Sequence, residues 1–244
     1  AILTDTLHNL LQGYRAASKE TLCMIKSIFK SRSRGSGLTT SRVEAFSDGV
    51  FAIAITLLVL EIKVPQVSEA LVSQQLTQEL LKLFPKYASY VLSFLVIGVY
   101  WVGHDAMFHH INRSDRILMW LNLLFLMCIA FIPFPTALLG DYSNEQISVL
   151  IYGGTLIVTN FVFLLLFRYG TSNQRLVDDN ISPNYVRLVK KKNLILPIIY
   201  ALAIALSFLN TKVSILLFVL VPMLYVFPSR SDRYWKVPQE SESD

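Results

Sequence analysis

Six apolar runs, parted by short polar connections, constrain this chain more than any other feature of its sequence. About 20 apolar residues cross ~30 Å of hydrocarbon, and within that layer the backbone has to satisfy its own hydrogen bonds, which single segments do as helices. The first run lies between Arg42 and Pro65: it begins at Ala45, carries Ser47 and Asp48 one turn in, and continues unbroken from Gly49 to Leu60. Five more fall at about residues 86–110, 116–140, 147–169, 194–209 and 213–227. The last two are short for a span and could form one re-entrant hairpin, but Asn210, Thr211 and Lys212 suit a tight turn between two spans. With 53% hydrophobic and only 16% charged residues, and a mean hydropathy of +0.49, the chain reads as an all-α integral membrane protein with six transmembrane helices.

Charge placement orients the spans. If both termini share one side, 18 of the 22 Lys and Arg residues fall there, and only Lys63, Lys82, Lys86 and Lys212 fall on the other. The positive-inside rule makes the basic side cytosolic. The same rule accounts for the basic excess through anionic lipid, so no nucleic-acid partner is expected. Cys23 and Cys128 are too few and too distant in sequence for a disulfide framework or a zinc cluster.

Residues 1–38 hold an amphipathic basic helix, with Leu7, Leu10, Leu11, Tyr14, Leu22, Ile25 and Phe29 among its apolar positions, and a Gly/Ser/Arg linker. That helix could lie on the cytosolic membrane surface, associate with its copies, or be an added extension. Residues 39–228 form the six-helix domain, and 229–244 a cytosolic tail.

An ionisable group inside a membrane-length run is expensive and raises the question of function. In the first helix Ile53, Leu57 and Leu60 lie within about 40° of one line, with Thr56 and Gly49 close beside them. Asp48 falls about 140° from Ile53, and Ser47 about 120° round the other way, so the polar pair and the apolar stripe face different neighbours. Ala45, Gly49, Ala52 and Thr56 recur at three- and four-residue steps, which lets another backbone approach closely and predicts a first helix packed among helices.

The second span runs back and ends YWVGHDAMFHHINR, placing Trp101 and His104 at the depth of Ser47 and Asp48. His104 is the expected partner of Asp48, with Trp101 a second donor. Such a pair could relay protons or bind a ligand, but a polar staple between two helices is preferred because Asp48 points away from the stripe. Asp105, His109 and His110 border a cytosolic turn and read as a solvated cluster, so no metal site is expected, and no motif calls for a cofactor. Asn122 and Asn160 read as isolated interhelical hydrogen-bond formers, and Pro133 and Pro135 as a bend in the third span.

Arg42, Phe46, Ser47 and Asp48 at this spacing, followed by a second helix with Trp101 and His104, resemble the signature of the transmembrane protein 175 family, the lysosomal potassium channels and their prokaryotic relatives. One six-helix set resembles the prokaryotic form. The resemblance implies a homotetramer in a prokaryotic plasma membrane, contacting lipid and passing potassium, with the first helix lining the pore. It implies a constriction at Ile53, potassium preference linked to Thr56, and a hydrophobic stretch through Leu57 and Leu60. Arg42, Phe46, Ser47, Asp48, Trp101 and His104 would hold that helix in place. The Thr-Val-Gly-Tyr-Gly filter is absent, so selectivity needs another device. The rival readings are a secondary transporter or proton conductor using Asp48 and His104, with Gly153 and Gly154 as the place where a span loosens, and a non-conducting membrane scaffold.

Overall fold

A computed structural model describes residues 40–172, 176 and 183–226, and all helix assignments below refer to these. The expectations for residues 1–38 and 229–244 lie outside them. The described chain is helical: α1 Thr40–Leu60, α2 Val72–Lys82, α3 Phe84–Phe108, α4 Arg116–Phe131, α5 Pro133–Asp141, α6 Gln146–Gly170, α7 Pro183–Ser207 and α8 Thr211–Val226, with a 3-10 turn at Glu69–Leu71 before α2.

Four stretches are long and apolar enough to cross a membrane, namely Thr40–Leu60, Phe84–Phe108, Arg116–Asp141 and Gln146–Gly170. Two shorter apolar stretches, Asn193–Ser207 and Thr211–Met223, complete the six runs read from the sequence. α7 starts at Pro183, well before the apolar run, so Arg187 and Lys191 sit on its first turns and not on a loop. Proline at the head of a helix costs no hydrogen bond, which explains the early start. α2 is a short polar-apolar helix with no buried residue, in a connection that carries no apolar run.

The third span is divided. α4 stops at Phe131 and α5 resumes at Pro133, because neither Pro133 nor Pro135 can donate a backbone hydrogen bond to the preceding turn. Ile132 N–H reaches only back to Ile129 O, at 3.1 Å. The fourth span behaves differently: α6 runs unbroken through Gly153 and Gly154, so the glycines do not loosen it.

The helices pack in a continuous set of neighbours. α1 makes its main contacts with α3, α4 and α5; α6 packs on α4, α5 and α7; and α8 closes against α7, α3 and α6. The core contains Phe51, Ile97, Phe125, Ile129, Tyr152, Phe167 and Phe218, all almost fully buried. Lipid tails are as apolar as these side chains, so the grouping owes more to close packing and polar ties than to release of water. At one end, Tyr169 of α6 donates to Asp115, the N-cap of α4, at 2.6 Å. At the opposite end Lys86 of α3 pairs with Asp141 of α5 at 2.5 Å. Towards that same end the hydroxyls of Ser93, Tyr152 and Thr136 meet, with Ser93 Oγ 3.0 Å from Tyr152 Oη and 2.7 Å from Thr136 Oγ1, tying α3, α6 and α5.

Gly153 tests this packing. A Cβ there would come within 2.7 Å of Ile204 Cγ1 and 2.8 Å of Phe218 Cζ, whereas one at Gly154 would meet nothing within 4 Å. Gly153→Val is expected to destabilise the fold by about 1–3 kcal/mol through overpacking. Gly154→Ala should leave it unchanged, both read as thermal unfolding midpoints in detergent.

Candidate functional site

The site grows from two consecutive residues of α1. Because neighbours on a helix diverge by about 100°, Ser47 and Asp48 cannot face the same way. Ser47 turns inward and is fully buried against α3 and α4, while Asp48 turns to the edge of the chain and is exposed.

Inside, one hydrogen-bond ladder fixes every proton. Ser47 Oγ donates to Val43 O at 2.8 Å, one turn back in its own helix. Its oxygen is then left to accept, and it does so from Asn122 Nδ2 at 3.0 Å. That orientation turns Asn122 Oδ1 towards His104 Nε2, 2.8 Å away. Since the amide oxygen can only accept, His104 carries its proton on Nε2. The imidazole is boxed by aromatic rings, stacked on Phe108 at 4.4 Å and Phe125 at 5.9 Å, with Phe51 edge-on at 5.6 Å.

At the edge, Trp101 Nε1 donates to Asp48 Oδ1 at 2.9 Å. The expected His104–Asp48 contact is therefore replaced by two separate ties. His104 is the core-facing residue of α3 and reaches Ser47 through Asn122, whereas Trp101, one turn away, is the edge-facing residue and takes Asp48. Asn122 is thus no isolated polar group but the hub of α1, α3 and α4. Its depth was the available clue: it lies about 9 Å into α4, close to the depth of Ser47 and His104 from the same end. Asn160 is buried and its amide has no hydrogen-bond partner among the described residues.

Arg42 and Phe46 stand apart from both ties. Each is exposed, and neither forms a hydrogen bond or ion pair among the described residues. They share the outer face of α1 with the stripe residues.

That face carries Ile53, Thr56, Leu57 and Leu60, and no part of the described chain covers it: Ile53 is 60% and Leu60 67% exposed. Gly49 and Ala52 are open too, and a Cβ on Gly49 would touch nothing within 4 Å. Within the described chain, α1 is therefore packed on one side only. Thr56 Oγ1 donates to Ile53 O at 2.9 Å, which leaves its lone pairs directed away from its own helix.

The arrangement is that of a helical integral membrane protein whose first helix is clamped by polar contacts on its inner side and bare on its outer side. The model for the endosomal/lysosomal potassium channel TMEM175 matches residues 42–133, from the first turn of α1 to the start of α5. A potassium channel of Chamaesiphon minutus is 40% identical over 179 residues, covering 72% of this chain and 88% of that protein. One of Streptomyces collinus is 38% identical over 192 residues, covering 77% of this chain and 92% of the relative. The crystal structure of a lysosomal potassium-selective channel TMEM175 homolog from Chamaesiphon minutus superposes with a TM-score of 0.68 at 36% identity, over 76% of this chain and 95% of that one. The chain belongs to the TMEM175 family.

The ladder predicts a graded response. Asn122→Ala strands both Ser47 and His104 in a buried site, and should lower stability by about 1–3 kcal/mol for each group left unpaired. Asp48→Asn keeps an oxygen for Trp101 and should cost less than half as much. Thermal unfolding in detergent checks both, and an Asn122→Ala protein as stable as the parent would show that the ladder holds nothing.

Proposed function

We propose that this chain forms a potassium channel, assembled as a homotetramer with four α1 helices around one pore. The observation that carries this reading is the bare apolar stripe on a helix whose other side is rigidly fixed. A polar clamp that sets the rotation of α1 has a purpose if the opposite face must point at something outside the chain. The relatives named potassium channels supply the ion.

In this arrangement Ile53 is the constriction. Four isoleucine side chains meeting near an axis leave an apolar gap that water abandons when it is narrow, and an ion cannot follow where its hydration is lost. A small outward displacement or rotation of α1 wets the gap and opens the path. Leu57 and Leu60 extend the dry stretch towards the outer end, about 6 and 10 Å beyond Ile53. Thr56 contributes the one polar oxygen of the stripe. Its proton is engaged by Ile53 O, so the oxygen faces a passing cation as an acceptor and replaces part of its water shell.

Ser47, Asp48, Asn122, Trp101 and His104 position this surface and do not line it. Asp48 and His104 are bound to different partners, Trp101 and Asn122, and do not pair with each other. The distribution of Lys and Arg supports cytosolic termini, and the bacterial relatives support a prokaryotic plasma membrane.

Recording from purified protein in planar bilayers under a potassium gradient tests the proposal. The expected result is a passive current that reverses near the potassium equilibrium potential. A current that follows the proton gradient, or one strictly tied to a second ion, would overturn it. In the same recordings Ile53→Asn should raise conductance several-fold by hydrating the gap, and an unchanged current would remove Ile53 from the constriction.

A further inference from the structure

The line of side chains on the bare face of α1 continues past Gly49 towards the basic end of the molecule. At about 100° per residue, Phe46 and Arg42 both return to within about 20° of Ile53, one on each side of the line. Both are exposed. The acids in the same two turns are elsewhere, since Glu44 and Asp48 lie about 140–180° round from Ile53, and Asp48 is held by Trp101.

Arg42 is also badly placed for the helix that carries it. A cation in the first turn opposes the helix dipole, typically by about 0.3–1 kcal/mol, and no acid in that turn offsets it. Among the described residues no carboxylate pairs with it. Among the described residues, neither helix stability nor pairing accounts for a guanidinium at this position.

We propose that Arg42 lines the cytosolic mouth of the conduction path, where four guanidinium groups form a positive collar about 16 Å on the cytosolic side of Ile53. This rests on the reading that the α1 stripe faces the axis. The collar opposes cations arriving from the cytosol more than those arriving through the constriction from outside, so it limits outward current. Guanidinium is charged at every accessible pH, so the effect follows salt and not pH. The screening length is about 30 Å at 0.01 M and about 3 Å at 1 M salt, so the field fills the mouth in dilute solution and collapses in concentrated solution.

The test is rectification in symmetric potassium chloride. The parent protein should pass about two-fold or more less outward than inward current at 0.01 M, and nearly equal currents at 1 M. Arg42→Gln should abolish the asymmetry at 0.01 M, and Arg42→Lys should keep it. Should Arg42→Gln not assemble, Arg42→Cys offers a second route: a cationic thiol reagent added to the cytosolic side should restore rectification and an anionic one should reverse it, with the parent protein controlling for Cys23 and Cys128. Rectification that survives Arg42→Gln, or that ignores salt, overturns the collar while leaving the channel reading intact. A parent protein with no potassium current overturns both.

Discussion

The hydrogen-bond ladder from Val43 O through Ser47 and Asn122 to His104 is the contact on which the geometry of α1 depends. In hydrocarbon there is no water to take over a broken bond, so each member is either satisfied by the next or left at considerable cost. The ladder also specifies direction. Packing alone tolerates a helix rotated by some tens of degrees, since apolar side chains adapt, but Ser47 reaches Asn122 at one rotation only. The Trp101–Asp48 bond adds a second fixed point about 100° away on the same helix, so α1 is located by two bearings.

Once that rotation is set, the exposure of the stripe follows from helical periodicity. Ile53, Thr56, Leu57 and Leu60 occupy the side that α3, α4 and α5 do not cover, and Phe46 and Arg42 share it. The division of labour within one helix is therefore angular: a satisfied polar sector facing its own chain, and an unsatisfied apolar sector facing outward.

Much of this was legible before any coordinates. The six apolar runs appear as helices because hydrocarbon leaves the backbone few alternatives, and the different faces of Ser47 and Asp48 follow from counting residues. What could not be read was which groups meet across helices. His104 and Trp101 lie one turn apart at similar depth, and only the tilt and rotation of α3 decide that Trp101 meets Asp48. Asn122 looked isolated because its partners are 18 and 75 residues away in the chain. The Ser93–Thr136–Tyr152 cluster was invisible for the same reason, as single hydroxyls in apolar runs have no periodic signal. The early start of α7 was hidden by its charge, which hydropathy reads as loop although lysine and arginine are good helix formers.

The interruption at Ile132 has a mechanical meaning. A continuous helix transmits a tilt from one end to the other as a rod does, whereas a helix that lacks successive backbone bonds bends there at lower energy. The segment before the break carries Asn122 and with it the alignment of α1, and the segment after it is tethered to α3 through Lys86 and Asp141. The third span is thus jointed at Ile132, and its two halves are held by different neighbours.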